Sequence, residues 1–159
     1  MAKGPTPDCS CVIDTNGLHG LATATANLRA RLIAALEDGT IGVPNWAWQE
    51  FRKLYKEEAD GLDEHIVKRI QFNQRVHVRA AQITEDFGLG FSHGAYDDHV
   101  ERYTAALAIN KNYLVLTSTD NVTVYHNMDC TVQALADWDV KVDDFLARAF
   151  YLKKNIQPL

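Results

Sequence analysis

The chain has 159 residues, 21 acids and 16 bases, a formal net charge of −5, and 47% apolar and 23% charged residues. That balance lies near the average of globular domains and excludes a disordered chain, a collagen-like repeat and a coiled coil. One domain is expected over residues 9–159, after a flexible tail at 1–8 that carries Gly4, Pro5 and Pro7. No stretch approaches the ~20 apolar residues of a membrane span, and no apolar leader follows Lys3. A cytoplasmic protein with no membrane partner is the expectation. Cys9, Cys11 and Cys130 are an odd set without metal-ligand spacing. Reduced, buried thiols are expected, with Cys9 and Cys11 on one face of a strand.

Cys9–Ile13 is a short apolar run ending at Asp14, which predicts a buried strand. Helical spacing of Leu28, Leu32, Ala35 and Leu36 predicts a helix from Ala24 to Asp38, stopped by Gly39. Ile41–Pro44 reads as a second strand, with Asn45 as the cap of the helix after it. A helical pattern runs from Asp63 to Phe87, and Gly88, Gly90 and Gly94 mark a loop. A helix from Asp97 to Asn110 leads into Tyr113–Thr117, the clearest strand. A helix over Asp129–Ala136, a short strand at Val140 and Val142, and a C-terminal helix ending near Lys154 complete the series. Strands alternating with helices predict an α/β fold: a three-layer α/β/α sandwich on a mainly parallel sheet of four to five strands. In such sheets the functional site lies at the carboxyl ends of the strands.

Acids gather at those ends. Asp14 follows the first strand, Glu50 lies in the second turn of the helix after the second, and Asp120 lies just beyond the clearest strand. Asp97, Asp98 and Glu101 occupy the start of the helix before it. Each has an ordinary explanation alone. Asp14 is placed to cap the next helix through Asn16 and Gly17, and acids in a first helical turn suit the helix dipole. Together they would repel unless a cation compensated them. Mg²⁺ or Mn²⁺ is the natural compensation, since both take hard oxygen ligands and keep several waters. Such ions acidify a bound water and steady charge on an attacked phosphate, so the set predicts phosphodiester hydrolysis.

Four stretches carry these acids in a fixed order: Val12-Ile13-Asp14-Thr15-Asn16, then Val43 to Phe51 around Glu50, then Glu101 to Ala108, then Leu114 to Asp120. In that order and spacing the sequence resembles the PIN-domain nucleases, from Cys9 to about Phe145. The resemblance implies that Asp14, Glu50, Glu101 (or Asp98) and Asp120 hold one or two Mg²⁺ or Mn²⁺ ions. It implies in-line attack by a metal-activated water with departure of the 3′ oxygen. Asn16 would orient Asp14 or the water network, and Ser118 would donate a hydrogen bond behind the ligands. Two departures stand out. The family's third acid is usually Asp, where this chain offers Glu101, with Asp98 one turn earlier. The Thr117-Ser118-Thr119-Asp120 run is one residue longer than the usual Thr-x-Asp, which places Ser118 at the hydroxyl position. The implied substrate is single-stranded or structured RNA. Small family members are toxins held by an antitoxin, which implies such a partner and a homodimer.

Residues 65–83 carry Lys68, Arg69, Arg75 and Arg79 and no acid. As one helix, they place Lys68, Arg75 and Arg79 on a shared face, a candidate phosphate stripe. The plainer account is a solvated face that balances the acids at residues 57–64. Trp46, Trp48 and Trp138 are expected in the core or in dimer contacts. The glycine loop lacks the Lys-Ser/Thr of a phosphate-binding loop. A haloacid-dehalogenase-like phosphatase is the rival enzyme, but it needs a second Asp where Asn16 stands. A PIN-like binding module without catalysis is the rival outside enzymology. Without the acidic quartet the net charge is −1, so the acidity concentrates in the expected site and does not oppose an RNA partner.

Overall fold

A computed structural model describes Cys9, residues 11–87, residues 98–118, Tyr125 and residues 130–134. Five parallel strands form one sheet: β1 (Cys11–Ile13), β2 (Ile41–Pro44), β3 (Arg69–Ile70), β4 (Leu114–Thr117) and β5 (Thr131–Ala134). Their spatial order is β3-β2-β1-β4-β5. Among the described residues the helices between them are α1 (Thr15–Ala22), α2 (Ala26–Glu37), α3 (Asn45–Leu54), α4 (Lys56–Leu62), α5 (Gln74–Phe87) and α6 (Asp98–Lys111).

Strand alternation divides the core in two. Cys11, Ile13, Ile41, Val43, Leu114 and Leu116 pack with Leu18, Leu21, Leu32, Leu36, Phe51 and Leu62 of α1–α4. Val12 and Val115 pack on the other face with Val76, Ala80 and Ile83 of α5 and Ala105–Ala108 of α6. The result is the three-layer α/β/α sandwich. Among the described residues no helix is long and apolar enough to cross a membrane.

Several local expectations change. The helical pattern of residues 63–87 is interrupted: a 3₁₀ turn at Asp63–His65 and the edge strand β3 precede α5. Ile66 is buried in the first core, while Ile70 packs at the second, and strand pairing with β2 at Val43↔Arg69 overrides the helical spacing. Lys68 therefore lies outside α5, and the Lys68–Arg75–Arg79 stripe does not exist as one helix face. Thr131–Ala134, expected as helix, pairs with β4 in parallel register. Asn45 is the first residue of α3 and makes no side-chain cap; Pro44 holds the cap position. Cys9 precedes β1 and packs in the second core, opposite Cys11 in the first. Both are buried free thiols, as expected. Burial pushes the Cys11 thiol far up, beyond easy ionisation. The tail at 1–8, the glycine loop, Val140, Val142, Trp138 and the C-terminal helix lie outside the described residues.

Candidate active site

The sheet order reverses direction between β1 and β4: the chain goes from β1 to one side and from β4 to the other. Such a switch point opens a crevice at the carboxyl ends of its two strands. Asp14 and Thr117 end those strands. The backbones meet closely there, since Asp14 N–H donates to the Leu116 carbonyl at 3.2 Å. A Cβ on Gly17 would collide with the Leu116 carbonyl oxygen, so only glycine lets α1 start this near β4.

Asp14 is 2% exposed. It caps α1, and its Oδ1 accepts from Gly17 N–H at 2.6 Å. Its Oδ2 is buried without a hydrogen-bond partner. The capping explanation therefore covers half of this carboxylate. Burial pushes the Asp14 carboxyl up to about 7, and the Glu50 charge adds to the rise; Gly17 N–H and the hydroxyls of Thr117 and Tyr125 oppose it. Those two hydroxyls face Asp14, and each is itself buried without a hydrogen bond within 3.5 Å.

Glu50 is joined to Asp14's neighbour. Thr15 Oγ1 donates to Glu50 Oε1 at 2.6 Å, with the Ala47 carbonyl 3.4 Å away. Glu101 is buried at 6% exposure on α6, and its charge and that of Asp14 both act on Tyr125, whose phenol is pushed up chiefly by burial. Tyr125 is 1% exposed and stays a donor at neutral pH. Thr104, one turn after Glu101, accepts from Trp46 Nε1 at 3.0 Å and donates to the Val100 carbonyl.

Asp14 and Glu50 thus lie at one place. Glu101 flanks them through Tyr125, yet among the described residues no three His, Cys, Asp or Glu side chains gather tightly enough to hold a metal. Asp98 opens α6 three residues before Glu101; its side chain and all of Asp120 lie outside the described residues. The unpartnered Asp14 Oδ2, the two facing hydroxyls and nearby Glu50 are hard oxygen donors of the kind Mg²⁺ and Mn²⁺ select.

Ser118 and Thr117 divide the hydroxyl position between them. The Ser118 hydroxyl donates to the main-chain carbonyl of Asn16 at 2.7 Å and braces the first turn of α1, while Thr117 turns toward Asp14. Thr117 follows Val115 in the two-residue alternation, so strand phase was the available signal. Tyr125 had none: it stands alone between Val124 and His126, outside any periodic pattern. Arg75 and Arg79 approach the far end of α6, where Asn110 accepts from Arg79 Nε and donates to the Arg75 carbonyl. Nine residues of helix, about 14 Å, separate Asn110 from Glu101.

No protein-family model matches this sequence, and no curated protein matches it either.

Proposed function

We propose that the chain is a ribonuclease dependent on Mg²⁺ or Mn²⁺, hydrolysing RNA phosphodiester bonds at the β1/β4 crevice. One observation carries the proposal: Asp14 is buried at the switch point with one oxygen held by Gly17 and the other, with no hydrogen bond within 3.5 Å, toward the buried hydroxyls of Thr117 and Tyr125. A half-satisfied buried carboxylate is costly, and a divalent cation is the partner its surroundings suit. One or two bound ions would supply a more acidic water and neutralise charge on the attacked phosphate. The chain does the rest. Gly17 N–H fixes the Asp14 rotamer and leaves Oδ2 free to ligate. Thr15 holds Glu50 in place. Thr117 and Tyr125 point hydroxyl dipoles at Asp14 and favour its charged form. Glu101, with Asp98 and Asp120, would complete the ligand set.

A second reading is a PIN-like binding module without catalysis. An antitoxin-like protein partner and a homodimer belong to the same proposal as the toxin-like role. The deciding experiment incubates the protein with mixed-sequence single-stranded RNA in Mg²⁺, in Mn²⁺ and in EDTA. Cleavage in metal that stops in EDTA and in Asp14→Asn is expected. Binding without cleavage in either metal would overturn the enzyme in favour of the module.

A further inference from the structure

We propose that the outer edge of β3 pairs with the same edge of a second copy, antiparallel across a two-fold axis near Ile70, so that two five-stranded sheets join into one. This contact gives the proposed homodimer a surface and does not depend on RNA cleavage.

The backbone at this edge is open. β3 ends the sheet, with β2 on its inner side. The Lys68 carbonyl accepts from Val43 N–H at 2.9 Å, in the register Val43↔Arg69. Strand alternation then turns the main-chain N–H and C=O groups of Val67, Arg69 and Gln71 away from β2. Among the described residues none of these groups takes a hydrogen-bond partner. No helical turn intervenes between the 3₁₀ turn at Asp63–His65 and α5, and Ile66 is extended, at φ −89° and ψ 113°. Such a row of donors and acceptors is a template for another strand.

Apolar exposure gathers on the same stretch. Among the described residues the exposed large apolar side chains are Val67 at 65%, Phe72 at 45% and Val78 at 46%, all between β3 and the second turn of α5. Val67 and Phe72 flank β3. Phe72 is braced edge-on by Trp46 of α3 and Tyr103 of α6, at 5.9 and 5.0 Å, so it is fixed in place before any contact forms. Apolar groups concentrated along an open edge mark an interaction surface.

Charge selects the occupant. Acids precede the edge, at Glu57, Glu58, Asp60, Asp63 and Glu64; bases follow, at Lys68, Arg69, Arg75 and Arg79, with no acid from His65 to Thr84. Asp63 is bonded to Arg69 at 2.8 Å. Glu64 has a side chain 81% exposed, 3.6 Å from His65 Nε2. Arg75 is exposed in the first turn of α5, and among the described residues it takes no ion pair. A parallel copy would set acid against acid. RNA or an acidic peptide would meet Glu64 at one end of the edge. An antiparallel copy instead brings Glu64 to the partner's Arg75, once on each side of the axis. The N-terminal dipole of α5 adds to that attraction. With Ile70 on the axis, Arg69 falls opposite the partner's Gln71 and Val67 opposite the partner's Asn73, so no like charges face each other.

The test is sedimentation equilibrium of the full chain in EDTA, with a thermal melt of each variant. The parent should dimerise. Glu64→Arg and Arg75→Glu each turn both attractive pairs into like-charge pairs, and each should weaken the dimer by about tenfold or more. Mixed in equal amounts, the two variants should recover it, because every pair across the axis is again opposite in sign. The chain carrying both substitutions should dimerise as well. Val67→Pro removes an outward N–H, and the extended backbone of Ile66 suits a following proline. It should give a monomer that melts close to the parent. A parent that is monomeric at every concentration would overturn the contact and the homodimer together. A dimer indifferent to both charge reversals and to Val67→Pro would overturn this contact and leave the homodimer to another surface. Weakening by each reversal without recovery in the mixture would also overturn it, since charge complementarity would not be the cause. RNA cleavage by the parent in Mn²⁺ is read separately. Its absence brings down the ribonuclease reading and leaves the contact standing; cleavage by a chain that stays monomeric does the reverse.

Discussion

The Thr15 hydroxyl donates to Glu50 Oε1 at 2.6 Å and so ties the residue after Asp14 to a helix 35 positions away in sequence. Thr15 is buried, and this bond crosses from α1 to α3 at the carboxyl edge of the sheet. Thr15→Val keeps the shape and removes the donor. It should lower stability by about 1.5–3 kcal/mol, the range for a hydrogen bond to a charged group. It should also reduce metal-dependent cleavage more than Thr15→Ser does, because only the valine removes this hydrogen bond from Glu50. Urea melts and initial cleavage rates on the two variants measure both effects. Equal rates for valine and serine would show that Glu50 needs no anchor.

Asp14 links stability to pH in the metal-free protein. Its carboxyl is pushed up to about 7 in the folded state from an ordinary value of 3.8. Between those values the folded chain holds a proton that the unfolded chain has released. Stability from this group is therefore complete below about pH 4, falls as pH rises through 7, and is level above that. Asp14→Asn keeps an acceptor for Gly17 N–H and offers an amide to the Thr117 and Tyr125 hydroxyls. In EDTA the variant should match the parent near pH 4 and exceed it at pH 8, by on the order of 2–4 kcal/mol given 1.36 kcal/mol per pKa unit. Urea melts at the two pH values read the difference. A variant less stable at pH 8 than its parent would show that the carboxylate is compensated without metal.

Fold class was legible because the sequence repeats one device: short apolar strands that end in polar residues, each followed by a 3.6-residue apolar period. β1 and β2 obey it, and α6 carries the helical period that leads into β4. The elements that escaped are governed by neighbours. β3 is two residues long and exists through pairing with Val43 and Pro44, whereas the local spacing of Ile66, Ile70 and Val76 reads as helix. β5 carries the β-branched pair Thr131 and Val132, but Ala134 and Leu135 continue into helix formers, and only the edge of β4 selects the strand. The site divides the same way. Asp14, Glu50 and Glu101 stood out because a strand end or a helix start puts an acid at a known edge. Thr117 and Tyr125 act through a burial that no local pattern encodes, and Phe72 gains its neighbours from α3 and α6.

Gly17 sets how closely α1 approaches β4. An added Cβ would collide with the Leu116 carbonyl oxygen, come within 2.6 Å of Ile13 Cγ1, and lie 3.1 Å from Asp14 Oδ1. The first obstacle is backbone of a central strand and cannot turn aside. Gly17→Ala should cost about 3 kcal/mol or more despite alanine's better helix propensity. A thermal melt compares it with Gly61→Ala on α4, where nothing lies within 4 Å of the new Cβ and the change should be neutral or stabilising. A Gly17→Ala protein that melts with its parent would place α1 further from the sheet.

Gly42 offers the contrast, because side chains oppose it. A Cβ there would stand 2.5 Å from Cys9 Sγ and 2.8 Å from Ile70 Cδ1. The chain entering β1 thus fills the space that a residue in β2 leaves. Gly42→Ala alone should cost about 2 kcal/mol through overpacking, and Cys9→Ala alone about 1 kcal/mol through the void left by sulfur. Combined, the new methyl enters the vacated space while the Ile70 end rotates away. The double variant should be more stable than the sum of the singles predicts by about 1 kcal/mol or more, a coupling expected only of groups in contact. A four-point cycle of urea melts measures it. Strict additivity would mean that Cys9 does not sit over Gly42, and that the crossing of Cys9 and Cys11 to opposite sides of the sheet is not how this strand begins.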